Sequence, residues 1–316
     1  MDITPGGETV EIVMDPSGQI EARIGASPHG QGLATTLAQL IADAIGVLPA
    51  NVRVVHGDTD RTPYGWGTFA SRSLVIAGGA ATLAGQKLRE KLLTIAGDLL
   101  EAAHDDIVLQ DGEARVAGTD RVLPIAALAR AAHYQAHRFK DFSPGLAESA
   151  HYDPPGTFSN ACHVAEVEVD VETGGVRIER FLAVEDAGRI INPLIADGQV
   201  HGGIAQGIGN ALFEEIVYDA RGNILTATLA DYLPPTAREI PPIELHHLET
   251  PAASSLTGAK GLGEGGAIGA PAAIINAVND ALSPFGVAID EMPATPQRIR
   301  AALRAAEGKR PKSKAG

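Results

Sequence analysis

One order of segments occurs twice along the chain, and it limits the fold more than any single motif. Residues 8–13 (ETVEIV) and 19–25 (QIEARIG) alternate apolar and polar around Pro16-Ser17-Gly18, a strand-hairpin signal. A loop of Ser27-Pro28-His29-Gly30-Gln31-Gly32 follows. Leu37, Leu40, Ile41, Ala44 and Ile45 then recur at helical spacing over 33–45. The second occurrence starts with 162–171 (CHVAEVEVDV) and 176–185 (VRIERFLAVE), joined by Thr173-Gly174-Gly175. A loop at Gly188–Pro193 leads into a small-residue helical region over 195–214, with His201-Gly202-Gly203 and Gln206-Gly207 inside it. Hairpin, loop and helix in this order, met twice, predict two lobes that weakly echo each other. The repeat is far too long for a solenoid.

The remaining segments fit between these. Residues 52–56 (VRVVH) are expected as a buried strand, and 57–73 as a long Gly-rich loop, of a length usually functional or disordered. A small-residue helix is expected over 74–102, then a hairpin around Asp111-Gly112. Residues 133–160, polar and carrying Pro144, Pro154 and Pro155, are expected to connect the lobes. The expected boundaries are therefore 1–145, 146–307 and a disordered basic tail at 308–316. A strand is expected near 243–248 and a short helix over 295–306.

Composition narrows the function. Gly occurs 36 times and aromatics make up only 4% of residues, so the core must be built from small and aliphatic side chains in close backbone contact. A net charge of −14 argues against nucleic acid and anionic membrane as partners. The single cysteine, Cys162, allows neither a disulfide framework nor an Fe–S cluster held by this chain alone. Apolar runs fall short of a membrane span. Met1–Gly7 is polar and short, so we expect no signal peptide and a cytoplasmic protein.

Residues 258–271 (GAKGLGEGGAIGAP) set one carboxylate, Glu264, among glycines before an apolar helical pattern, with Pro271 suited to the first helical position. A charge in such a turn points to a site rather than to packing. Gly261, Gly263 and Gly266 also satisfy a dinucleotide-binding pattern, but that pattern needs a buried strand before it, and 249–260 (ETPAASSLTGAK) is polar and small. The other Gly-rich loops carry Gln31, Asn192 and Gln206, whose amides can read a heterocycle edge, and Arg72 between Ser71 and Ser73, which suits a phosphate fork. Together they predict a cradle for a large phosphorylated heterocyclic cofactor. His29 and His201 read as structural histidines, and Trp66 and Phe69 as lid or core residues.

These segments, with His56-Gly57-Asp58-Thr59-Asp60, Gly67-Thr68-Phe69-Ala70-Ser71-Arg72-Ser73, Asp186-Ala187-Gly188, Ile191-Asn192-Pro193, Gly198-Gln199 and Gln206–Gly209, resemble the molybdenum hydroxylases, the xanthine dehydrogenase/aldehyde oxidase family. The resemblance runs in order over residues 8–305. It looks closest to the large chain of aerobic carbon monoxide dehydrogenases. It implies an α+β fold of two mixed α/β sandwich lobes of the family's molybdopterin-binding type, forming the C-terminal half of the large subunit. It implies Glu264 as catalytic base in an oxidation that delivers water-derived oxygen to an electron-poor carbon of carbon monoxide, an aldehyde or an N-heterocycle. Gly30, Gln31, Gly32, Ala70, Ser71, Arg72 and Ser73 would bind a molybdenum–molybdopterin, in its cytosine dinucleotide form, with Asn192, Gln206, Lys260 and Gly261 as further members of the cradle. The Ala70 backbone would lie next to the metal. FAD and 2Fe-2S groups would sit on partner chains.

Two departures are small: Ala187 stands where many relatives have Cys, and Leu262 where Val is usual. The large one is length, since family large subunits are more than twice this size. The N-terminal half, with substrate-lining loops, would come from a separate chain, or the sequence is a fragment. A non-catalytic remnant or cofactor-binding module is the alternative reading.

Overall fold

The computed structural model describes residues 6–139 and 142–308; the expected tail lies outside the described residues from 309 onward. The chain divides into two compact units. The first runs to Phe158 and also takes in Gly188–Ile195 and Glu249–Gly261. The second comprises Ser159–Ala187, Ala196–Leu248 and the chain from Leu262.

In the first unit β1 (Glu8–Met14) and β2 (Ile20–Ile24) form the expected hairpin. Asp15 closes the turn, its Oδ1 accepting from the N–H groups of Ser17 and Gln19 and from the Ser17 hydroxyl. Helix α1 (Leu33–Ile45) returns the chain to β3 (Val52–Val55), which runs parallel to β2. Helix α2 (Ser73–Leu100) covers the same face. The even-numbered residues of β1, Val10, Ile12 and Met14, are fully buried there, as period-2 alternation requires. A small antiparallel sheet of β4 (Ile107–Gln110), β5 (Glu113–Val116) and β6 (Val122–Pro124) is followed by α3 (Ile125–Tyr134). Asp111 and Gly112 both take positive φ, the backbone that a two-residue hairpin turn demands.

Two expectations change here. β3 is an edge strand, paired with β2 on one side alone, and only its last residue, Val55, is buried. The stretch 133–160 is not simply a connection. It contains β7 (Ala147–Tyr152), which pairs antiparallel with β1 and completes the sheet order β3-β2-β1-β7. The expected boundary at 145/146 therefore cuts off a strand whose backbone hydrogen bonds belong to the first sheet.

The second unit repeats the topology. β8 (Asn160–Val169) and β9 (Val176–Asp186) form an antiparallel hairpin with a register shift between Glu166 and Val167. Helix α4 (Pro193–Leu212) leads to β10 (Ile243–Leu248), parallel to β9. Helix α5 (Gly265–Leu282) follows, then α6 (Pro296–Glu307), capped by the Thr295 hydroxyl. Hairpin, helix, parallel third strand and second helix thus recur in one order, with β10-β9-β8 the counterpart of β3-β2-β1.

α5 starts at Gly265, so Pro271 lies inside the helix rather than at its first position. The glycines that read as a turn serve a helix contact instead. A Cβ on Gly266 would lie 2.5 Å from the Val200 carbonyl, and one on Gly207 would lie 3.0 Å from Pro271 Cδ. Only bare backbones let α4 and α5 approach this closely. The missing Pro271 N–H is the cost of that ring in the helix.

Glu21 on β2 shows how the long 57–72 loop is tied to the sheet. It receives Arg23 Nε at 2.9 Å and Arg61 Nη2 at 3.0 Å. The Arg23 hydrogen bond, opposed by partial burial and joined by Arg61, holds the Glu21 carboxyl below its usual range. A carboxyl depressed by folding stabilises fully above its unfolded pKa, and that contribution is lost as pH falls through the folded value. Glu21→Gln is therefore expected to flatten the acid limb of Tm against pH, between about pH 5 and pH 3. Identical acid limbs in thermal scans of both proteins would show that the tie contributes nothing.

Candidate cofactor cradle and catalytic carboxylate

In the first unit two predicted loops come together. The Thr68 hydroxyl donates to the Ser27 carbonyl at 2.8 Å, and the Ser73 hydroxyl donates to Thr68 Oγ1 at 2.9 Å. Loop 25–32 is thereby fastened to loop 67–73. Gly30 and Gly32 take φ of 111° and 78°, and a Cβ on Gly32 would collide with Ile195 at 2.7 Å. Gln31 Oε1 accepts the His29 N–H at 2.9 Å. Its Nε2 is buried and has no partner among the described residues.

Ala70 and Ser71 are consecutive non-glycine residues in the left-handed region, at φ 49° and 56°. Such residues cost about 1 kcal/mol or more each and persist where their surroundings enforce them. The next residue, Arg72, anchors this loop in the interior. Its guanidinium is fully buried: Nη1 lies 2.5 Å from Glu8 Oε1 and donates to the Gly67 carbonyl at 2.9 Å, while Nη2 donates to the Gly6 carbonyl at 2.9 Å. Its CZ lies 5.3 Å from the centroid of the Phe69 ring. This corrects the phosphate-fork reading, because a side chain sealed inside the unit and spent on Glu8 and carbonyls is no phosphate ligand. Arg72 shapes the loop that carries Ala70 and Ser71. Glu8 was not singled out from the sequence. Its signal is parity: it shares the buried face of β1 with Val10, Ile12 and Met14.

Asn192 is likewise committed to structure. Its Oδ1 accepts the Ile195 N–H at 3.1 Å, capping α4, and its Nδ2 donates to Gln39 at 3.0 Å. Lys260 and Gly261 are buried in the segment that bridges from Ala259 to Gly188. Gly188 needs its φ of 66°, and a Cβ there would stand 2.3 Å from the Gly258 carbonyl.

The second unit holds Gln206 and Glu264. Gln206 is exposed on α4 and donates to Asn210 one turn on, at 3.3 Å. His201 bonds the Asp197 carbonyl at 2.7 Å, the structural role expected of it. Glu264 is half-buried and is the N-cap residue of α5; its carbonyl accepts the Ala267 and Ile268 N–H groups at 3.1 Å each. Gln199 Nε2 fixes the preceding residue by donating to the Gly263 carbonyl at 2.6 Å. Trp66 and Phe69 are both exposed rather than core.

An unpaired buried amide donor beside a strained loop fits a ligand that brings acceptor atoms. Comparison with known proteins identifies the class. The molybdopterin cofactor-binding domain family matches residues 1–241. The chain belongs to this family. It is 43% identical to the nicotine 6-hydroxylase large subunit of Paenarthrobacter nicotinovorans, covering 95% of this chain and 37% of that one. It is 37% identical to the carbon monoxide dehydrogenase large chain of Hydrogenophaga pseudoflava, covering 94% and 37%. The crystal structure of quinoline 2-oxidoreductase from Pseudomonas putida 86 matches at a TM-score of 0.88 and 42% identity, covering 94% of this chain and 38% of that one. The chain thus spans well under half the length of the curated relatives that it matches, and the resemblance to molybdenum hydroxylase large subunits stands. No helix among the described residues is long and apolar enough to cross a membrane.

Proposed function

We propose that the chain is the cofactor-binding part of a molybdenum hydroxylase large subunit, and that Glu264 is its catalytic base. The substrate is a small molecule with an electron-poor carbon, and the incorporated oxygen comes from water. Gln31, with Gly30 and Gly32 around it, reads the pterin edge; Ala70, Ser71 and Ser73 offer backbone and hydroxyl groups to the same cofactor. Lys260 and Gly261 belong to that cradle. Arg72 and Asn192 support it from within the protein. The cofactor form is molybdopterin cytosine dinucleotide.

When bound, the molybdenum centre supplies two-electron redox chemistry; FAD and 2Fe-2S partner chains take the electrons onward. The Glu264 carboxylate accepts a proton as the oxygen nucleophile forms and holds it away from the reacting carbon, the ordinary work of a general base. The rest of the large subunit contributes the remaining substrate-lining residues.

The observation that carries this reading is Gln31 Nε2, buried and without a partner among the described residues, on a loop that the Thr68–Ser27 hydrogen bond ties to the segment carrying the left-handed Ala70 and Ser71. Gln31→Ala is expected to weaken cofactor retention roughly tenfold, the worth of one or two well-placed hydrogen bonds. Molybdenum content after dialysis of the assembled complex measures it. Retention equal to the parent protein's would remove Gln31 from the cradle.

A further inference from the structure

The first turn of α5 rests on a buried ionisable pair with no role in the account so far. His163 on β8 and Glu185 on β9 have side chains 2% exposed each, and His163 Nε2 lies 2.9 Å from Glu185 Oε1. Nε2–H donates to the carboxylate, and Nδ1 is buried with no partner among the described residues. The His163 ring packs edge-on against Phe181.

Two glycines one turn apart on α5 meet this pair. A Cβ on Gly265 would lie 3.0 Å from Glu185 Oε2, and one on Gly269 would lie 2.5 Å from His163 Nδ1. The pair fills the space that the helix leaves open. Glu185 thus lies against the helix N-terminus, where partial positive charge favours a carboxylate. Apolar residues would fill such a space at lower desolvation cost, so stability alone does not account for an ionisable pair here. Glu264 is the residue that precedes Gly265, and its carbonyl accepts the first helical N–H groups.

We propose that His163 and Glu185 are positioning residues for Glu264. By clamping Gly265 and Gly269 they fix the start of α5, and with it the backbone from which the Glu264 carboxylate projects. This rests on the reading of Glu264 as the base, but its test needs neither cofactor nor turnover, so the two stand or fall separately.

The test is amide hydrogen exchange on the chain itself, followed at Ala267 and Ile268, whose N–H groups bond the Glu264 carbonyl. Glu185→Ala is expected to speed exchange at these two amides about tenfold or more while leaving Val278 and Leu282 at the far end of α5 unchanged. Glu185→Gln, which keeps an acceptor for His163 Nε2–H, is expected to restore most of the protection. Unchanged exchange at Ala267 and Ile268, or an equal rise along all of α5, would overturn the proposal. Should Glu185→Ala fail to fold, His163→Asn, which withdraws the ring from Gly269, is read by the same two outcomes.

Discussion

Glu264→Gln is expected to abolish turnover in the assembled enzyme while leaving its molybdenum and pterin content at the parent level. The substitution preserves size and hydrogen-bonding shape, so the start of α5 and the bonds from Ala267 and Ile268 to the Glu264 carbonyl remain. What it removes is the ability to accept a proton. General-base catalysis contributes roughly 10²–10⁴-fold, so the residual rate should fall by at least that range. Steady-state rates and metal analysis on the same preparation check both halves. Undiminished turnover would take Glu264 out of the mechanism. Lost activity together with lost molybdenum would assign it to binding instead.

Arg72→Ala is expected to destabilise the first unit by roughly 3–5 kcal/mol, the cost of leaving one member of a buried ion pair without its partner. Glu8 would then be a fully buried carboxylate whose remaining hydrogen bond among the described residues is the Trp66 N–H, at 3.0 Å. Glu8→Ala strands the guanidinium and should cost a similar amount. The double variant Glu8→Leu with Arg72→Met removes both charges and should recover much of the loss, since apolar replacement of a buried pair is often close to neutral. Chemical denaturation of the three proteins measures it. A further consequence separates Arg72 from an ordinary core residue. Without its bonds to the Gly6 and Gly67 carbonyls, the loop that carries positive φ at Ala70 and Ser71 loses its buried anchor, so the double variant should fold yet retain cofactor poorly. Full cofactor retention in the double variant would break the link between the ion pair and the loop.

Much of this architecture was legible in the sequence because it rests on local periodicity. The two hairpins, α1, α2, α4, β10 and α6 follow from period-2 and helical spacing with clear turn residues between them. The glycine-rich loop around Glu264 reads as a candidate site because a charge among glycines has no evident packing role. The misreadings share a cause in long-range pairing. Glu8 and Arg72 lie 64 positions apart, and nothing local marks a guanidinium as consumed by a distant carboxylate. Asn192 reads equally well as a ligand or a helix cap until Ile195 and Gln39 are seen to hold its amide. β7 (AESAHY) is weakly patterned, and only its partnership with β1 makes it a strand. The early start of α5 was hidden because glycines demanded by contact with α4 carry the composition of a turn. His163 shares the inward parity of Ala165 and Val167, and Glu185 that of Phe181 and Ala183, but parity does not say that the two side chains pair.

The most direct test of the central claim is cofactor analysis of the chain produced together with the remainder of its large subunit. The purified complex is hydrolysed and assayed for molybdenum, pterin and CMP. The account predicts all three in equal molar amounts, each reduced by Gln31→Ala. A complex that assembles stably but carries neither molybdenum nor pterin would contradict it.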